Sequence, residues 1–345
     1  MTDHAGQPGS RRARPPVITP AMMDGLLGYA VTEEHLDALA EIGELSTRVP
    51  VGDFSDPAVA ELLADTDVIF GHWGCPTLDA TALEAMPRLA MFAYGAGTVK
   101  WQVTDELWER GVVVTSAAAA NAVPVAEFAA AAVLLANKGI VWLSAAERDP
   151  SLRVPLDMSA LGNHDRRVGL VGASHVGRLT CEYLSVHDLQ VAFHDPYLDD
   201  DDAARMGAQK MELDELCSWC DVLSLHAPEL DSTRRMIGAR QLSLLADGVT
   251  IVNTARGALI DTAALQQELA SGRLQAILDV THPEPLPVDS PLRELPNVML
   301  TPHVAGAVGS ETRRLTDLAV AEVARFAAGE SPLYPVRRED IPRIA

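Results

Sequence analysis

A glycine turn near the middle of the chain constrains it most. The basic pair Arg166-Arg167 leads into the apolar run Val168–Val171, a sharp turn at Gly172 and a helical pattern from about Val176. A strand, a tight glycine turn and a helix N-terminus make an anion cradle. The turn faces backbone N–H groups toward a diphosphate, and the helix dipole favours its charge. The common spacing is GxGxxG; here Gly172 and Gly177 stand in place, with Ser174 between them. The motif by itself leaves a nucleotide site and an ordinary strand-turn-helix equally open. Ser174 adds bulk where a diphosphate comes closest, and also a hydroxyl able to bond a phosphate. His175 either touches the diphosphate or is an exposed loop histidine.

The next strand, Gln190–Phe193, ends in His194-Asp195-Pro196, and Asp195 lies 18 residues beyond Gly177. A carboxylate there accepts both hydroxyls of an adenine ribose and repels a 2′-phosphate, which favours NAD over NADP. Further strand-helix units follow. Strands at Asp221–Leu225, Val249–Val252, Ala276–Leu278 and Val298–Leu300 each deliver polar residues at their carboxyl ends. Open α/β sheets bind ligands at that edge, so Arg256, Asp279, Glu284 and His303 are expected to converge there.

The preceding part also reads as a βαβ-type region. Helices are expected at Thr32–Ile42 and Pro57–Ala64, and strands at Val68–Gly71, Ala90–Ala93 and Val112–Thr115. Tyr94, Gly95, Ala96 and Gly97 follow the second of these strands, as a plain turn or as a loop that lets a ligand reach the backbone. One long alanine-rich helix is expected over Val123–Arg148, with Pro124 and Glu127 near its start. It suits an interface between domains or subunits. The last helix, Ser310–Ala328, leads into a short polar tail.

Composition narrows the function classes. A length of 345 residues suggests about two domains. The formal charge of −21 argues against nucleic acid and anionic membrane partners. No apolar run reaches the ~20 residues of a spanning helix, and no secretory core opens the chain, so a cytoplasmic protein is expected. Residues 1–16 read as a disordered arm carrying Arg11, Arg12 and Arg14. Cys217 and Cys220 have CxxC spacing without further ligands, so two small half-buried residues are expected and no metal.

Several ordered stretches resemble the D-isomer-specific 2-hydroxyacid dehydrogenases. They are Ser224–Ile237 (SLHAPELDSTRRMI), Asn253–Asp261 (NTARGALID), LDV…EPLP over Leu278–Pro287, and Leu300–Gly306 (LTPHVAG), together with the fingerprint and Asp195. The resemblance covers about Ala118–Gly306 and is fainter before it. It implies an α/β chain of two Rossmann-like lobes with doubly wound parallel sheets. The NAD-binding lobe (118–306) is inserted into a discontinuous substrate lobe (17–117 and 307–345). It also implies a homodimer through the helix at 123–148 and a small 2-hydroxy or 2-keto acid substrate.

The roles follow from both chemistry and family. Arg256 suits a substrate carboxylate, since guanidinium offers two parallel N–H bonds and keeps its charge. His303 suits proton transfer because imidazole exchanges a proton near neutral pH. Glu284 would bond His303, orient it and favour its charged form. The resemblance implies NAD contacts at Gly172, Ser174, His175, Val176, Asp195, His226, Ala227, Pro228, Thr233, Thr254, Ala255 and Asp279, the last holding the nicotinamide carboxamide. It implies substrate contacts from backbone N–H groups of Gly95, Ala96 and Gly97. Thr98–Gln102 departs from the acidic run usual there, and Tyr94, Trp101 and His72-Trp73 suggest an aromatic wall. Two other readings are weighed. A small-anion dehydrogenase for formate would be expected to carry glutamine at position 284, and a non-enzymatic, corepressor-like NAD sensor would keep the same residues.

Overall fold

The computed structural model describes residues 14–154 and 157–344. The chain divides into two compact units, one made of the residues up to Asn121 plus Ala307–Ile344, the other of Ala122–Gly306.

The chain opens with β1 (Val17–Ala21), α1 (Glu33–Ile42), β2 (Glu44–Leu45), α2 (Ala60–Ala64), β3 (Val68–Gly71), α3 (Ala80–Ala85), β4 (Met91–Tyr94), α4 (Asp105–Glu109) and β5 (Val113–Ser116). Thr32 caps α1, with Glu33 and Glu34 in its first turn. Pro57 starts a 3-10 turn that runs into α2, so the expected helix at Pro57–Ala64 is 3-10 first and α second.

The expected single helix at 123–148 is two: α5 (Ala118–Ala136) and α6 (Ile140–Arg148). Gly139 sits between them at φ +66°, a left-handed conformation that ends the run. The first helix also starts earlier than expected, because the Ser116 hydroxyl accepts the Ala118 N–H at 3.0 Å. Pro124 therefore lies inside α5, and exposed Glu127 is well past its first turn. At 19 residues and mean hydropathy 1.7, α5 is long and apolar enough by composition to cross a bilayer, and half of it is buried in the protein.

The second unit continues with β6 (Arg166–Val171), α7 (His175–Leu184), β7 (Leu189–His194), α8 (Asp200–Arg205), β8 (Gln209–Lys210), α9 (Leu213–Trp219), β9 (Val222–Leu225), α10 (Ala239–Leu244), β10 (Thr250–Asn253), α11 (Thr262–Ala270), β11 (Gln275–Leu278) and β12 (Val298–Leu300). Helix α12 (Thr312–Ala327) and β13 (Pro335–Val336) return to the first unit.

The second unit's sheet has seven parallel strands in the order β12-β11-β10-β9-β6-β7-β8. Successive residues of a strand enter opposite cores: Leu170 and Ile277 on one face, Val171, Ala276 and Leu278 on the other. Burial on both faces is the rule for parallel sheets and accounts for these continuous apolar runs. Strand order reverses between β6 and β9, which opens a crevice at their carboxyl ends.

The first unit's sheet has the order β13-β5-β4-β3-β1-β2 and is parallel except for β13. The tail read as merely polar thus adds an antiparallel edge strand, with Val336 opposite Val114. The expected arm is tied down at its end, since Arg14 Nη2 donates to both carboxylate oxygens of buried Asp67, at 3.1 and 3.0 Å. Arg11 and Arg12 lie outside the described residues. Cys217 and Cys220 are free and buried, and burial pushes the Cys217 thiol up to about 12. Among the described residues no group of His, Cys, Asp or Glu could hold a metal ion.

Candidate active site

The glycine turn sits at the carboxyl end of β6. Gly172 has φ +103°, and a Cβ there would meet the Ala227 nitrogen at 2.6 Å. At Gly177 a Cβ would meet the Gly172 carbonyl at 2.1 Å. Both glycines are therefore demanded by close backbone approach, which keeps the cradle narrow and its floor bare. Backbone bonds hold it: Gly172 N–H to the His194 carbonyl (2.8 Å) and His226 N–H to the Val171 carbonyl (2.7 Å).

Ser174 does something other than expected. Its hydroxyl donates to the His226 carbonyl at 2.8 Å and accepts the Gly177 N–H at 3.3 Å. It is an N-cap that also ties α7 to the end of β9, so its hydroxyl is not offered to a phosphate. His175, the first residue of α7, is exposed, and Val176 is half-buried.

Asp195 is held at the tip of β7. One carboxylate oxygen accepts the Ala173 N–H at 2.7 Å, the other the Tyr197 N–H at 2.8 Å. Each oxygen keeps a lone pair for a further donor. At the end of β9, His226 is buried. Its Nε2 lies 3.0 Å from the Ser224 hydroxyl, and burial drives its pKa down to about 3. Thr233 Oγ1 donates to the Pro228 carbonyl at 2.6 Å and shapes the following loop. After β10, the buried Thr254 hydroxyl has no partner, and half-buried Ala255 follows it.

The chemistry-bearing residues follow three adjacent strands. Asn253, Leu278 and Leu300 are register partners across β10, β11 and β12, so Arg256, Asp279 and His303 all emerge at one sheet edge. The loops press together there: a Cβ at Gly257 would meet the Thr281 carbonyl carbon at 2.0 Å. His303 Nδ1 lies 2.7 Å from Glu284 Oε1, and both side chains reach solvent. His303 takes φ +57°, unusual for a residue with a side chain. Arg256 donates Nη1–H to the Ala255 carbonyl at 2.7 Å. Among the described residues no carboxylate pairs with it, so the structural ion pair that could have explained it is not found.

Asp279 holds the His303 loop. Oδ1 accepts from the Thr301 hydroxyl (2.6 Å) and the Val304 N–H (2.8 Å), and Oδ2 from the Ala305 N–H (2.9 Å). Three of about four acceptor positions are thus spent on the loop. The sequence reading missed this role, although Thr301 two residues before His303 was the available sign.

In the first unit the loop after β4 needs a correction. The Gly95 N–H donates to the Gly71 carbonyl at 2.7 Å, so it continues the sheet and is not offered to a ligand. No described residue accepts from the N–H groups of Ala96 or Gly97. The expected aromatic wall also separates. Tyr94 is buried against Phe92, ring centroids 5.4 Å apart, whereas Trp101 is 76% exposed. Only His72 and Trp73 pack edge to face, at 4.6 Å.

The profile of the D-isomer specific 2-hydroxyacid dehydrogenase NAD binding domain matches residues 130–305, half of the chain. The chain belongs to this family. Its second unit is an NAD-binding domain, and the geometry fits that cofactor: a cradle with no room for Cβ atoms, a preset carboxylate at the tip of β7, and the unpartnered Thr254 hydroxyl. A D-3-phosphoglycerate dehydrogenase of Mycobacterium leprae is 34% identical over 305 residues, 85% of this chain and 56% of its own length. The chain thus spans little more than half of that relative. A glyoxylate reductase of Korarchaeum cryptofilum is 29% identical, covering 90% of this chain and 94% of its own. The solved D-mandelate dehydrogenase of Rhodotorula graminis shares the fold, with TM-score 0.78 and 22% identity over 94% of this chain and 98% of its own.

Proposed function

We propose that this protein is an NAD-dependent oxidoreductase acting on a D-2-hydroxy acid or the matching 2-keto acid. The observation that carries this reading is one sheet edge presenting an unpaired guanidinium and a histidine paired with a carboxylate. NAD supplies or accepts the hydride when bound. Arg256 holds the substrate carboxylate with two parallel N–H bonds, a geometry lysine cannot offer. Glu284 takes the Nδ1 side of His303, which leaves Nε2 to give a proton to the keto oxygen in reduction and to remove it in oxidation. Gly172, Ser174, His175 and Val176 line the diphosphate, and Asp195 receives the adenine ribose, which favours NAD over its 2′-phosphorylated form. His226, Ala227, Pro228, Thr233, Thr254, Ala255 and Asp279 border the remaining length of the cofactor.

A homodimer through α5 fits this reading. Its exposed residues Glu127, Ala131 and Leu135 are flanked by half-buried Phe128 and Leu134, and exposed Lys138 lies just past its end.

The test is NADH oxidation with glyoxylate, pyruvate, hydroxypyruvate and phenylpyruvate. Turnover of at least one, with Arg256→Gln raising KM by ten-fold or more, is the expected result. NADH binding without turnover of any of them would contradict the enzyme and favour an NAD-sensing protein.

A further inference from the structure

The amino-terminal ends of β11 and β12 hold a pocket that the reading above does not use. It measures about 370 Å³, the size of a small-molecule site, and lies wholly in the second unit. Gly272, just before β11, and Leu295 and Pro296, just before β12, line it together with Trp142 of α6 and with Arg153. Arg256, Asp279 and His303 emerge at the opposite, carboxyl ends of the same strands. Two polar groups of the wall are committed to the protein. The Asn297 amide gives both its hydrogens to the Leu269 and Leu274 carbonyls at 2.8 and 2.7 Å, and the Ser271 hydroxyl donates to the Glu268 carbonyl at 2.8 Å. Two donors are uncommitted. Trp142 is 5% exposed, and a Cβ on Gly272 would stand 3.8 Å from Cζ2, the ring corner near the indole nitrogen. No described residue accepts from that N–H, although a buried indole usually finds a partner. Arg153 is exposed, pairs with no described carboxylate, and is the one charged residue of the lining.

We propose that this pocket binds an apolar monocarboxylic acid as a regulatory ligand, away from the catalytic edge. The guanidinium of Arg153 takes the carboxylate in a charge-assisted pair, and the indole N–H is a second donor. Leu269, Leu295, Pro296 and the Trp142 ring take the hydrocarbon body, whose burial supplies the rest of the affinity. The lining contains no histidine, carboxylate or thiol able to move a proton, so the site binds its ligand without transforming it. The strands that start here lead to the chemistry. The Ala276 N–H donates to the Asn297 carbonyl at 3.0 Å, β11 runs directly into Asp279, and β12 leads through Thr301 to His303. A ligand that favours one setting of these two strand ends over another is therefore felt at both residues.

The test is calorimetric titration of the NADH-loaded protein, saturated with oxalate to occupy the catalytic edge, with 3-phenylpropionate and with its neutral amide. The acid has no 2-oxygen to reduce. The expected results are a Kd of about 1 mM or tighter for the acid, at least ten-fold weaker binding of the amide, and a ten-fold or larger loss of acid affinity in Arg153→Met. Ala270→Trp, which fills the pocket from the exposed last residue of α11, is expected to abolish binding with NADH affinity unchanged. Equal affinity for acid and amide, or wild-type affinity in Arg153→Met, overturns the inference. So does binding that vanishes as the protein concentration rises, since a second copy of the chain then fills the pocket. Should Ala270→Trp fail to fold by circular dichroism, Arg153→Met and the amide decide. The regulatory role rests on the function proposed above: at saturation the acid is expected to change kcat for a 2-keto acid by two-fold or more without raising KM, and an unchanged kcat overturns that role. A wild type that turns over no 2-keto acid sinks the proposed function, and the titration still decides the site.

Discussion

Two side chains at the cradle and the catalytic loop show how single residues set the site. Ser174 stands where a diphosphate-binding turn commonly has glycine, yet its hydroxyl points into the His226 carbonyl and the Gly177 N–H. Ser174→Ala is expected to lower stability by about 1 kcal/mol, as for other lost caps, and Ser174→Gly by only a few tenths. NADH affinity is expected to stay within about two-fold in Ser174→Gly. Urea unfolding and fluorescence titration check both. Asp279 makes the contrasting case. Replacing it with asparagine sets an amide N–H₂ against N–H donors from Val304 or Ala305 and frees the His303 loop. Such misplacement of a proton donor is expected to cut kcat roughly 10²-fold while NADH still binds, a split that steady-state kinetics beside a Kd measurement reads directly.

At the scale of elements, the site depends on how closely the carboxyl ends of β10 and β11 approach. Gly257 touches Thr281 with no room for a methyl group. Gly257→Ala is expected to destabilise by about 1–3 kcal/mol, the range for an overpacked contact, and to lower turnover because the Arg256 loop must shift. Chemical unfolding together with kcat/KM tests it. Strands were the most legible elements, since parallel strands buried on both faces read as unbroken apolar runs such as Val168–Val171. Helix limits were less so. An alanine-rich stretch carries almost no periodic contrast, which hid both the start at Ala118 and the break at Gly139. The two-residue strand Pro335–Val336 has no local signature, because its pairing with β5 is made entirely by tertiary contact. The chemistry of the second unit could be read because each candidate follows its strand by one to a few residues. The use of the Gly95 N–H by Gly71 could not, since it depends on which strand lies alongside.

At the scale of the whole molecule, each unit buries a histidine that burial keeps neutral: His72 in the first, with pKa about 4, and His226 in the second, with pKa about 3. Both are depressed below the unfolded value near 6.5. As pH falls below about 6.5 the unfolded chain takes up these protons and the folded chain does not, so stability falls until the folded pKa values are reached. The slope is roughly 1.4 kcal/mol per pH unit for each histidine. Unfolding free energies from urea titrations are expected to be lower at pH 5 than at pH 7, by roughly 2 kcal/mol for each histidine; equal stability at the two values would contradict buried neutral imidazoles. The central claim concerns the second unit, where an unpaired Arg256 and the His303–Glu284 pair share an edge with the NAD cradle. The most direct measurement is kcat of His303→Ala with a 2-keto acid that wild type reduces, alongside its Kd for NADH. The account predicts a 10²–10⁴-fold fall in kcat, the usual worth of a proton donor, with Kd within about two-fold. An unchanged kcat, or a Kd lost in step with it, would contradict the account.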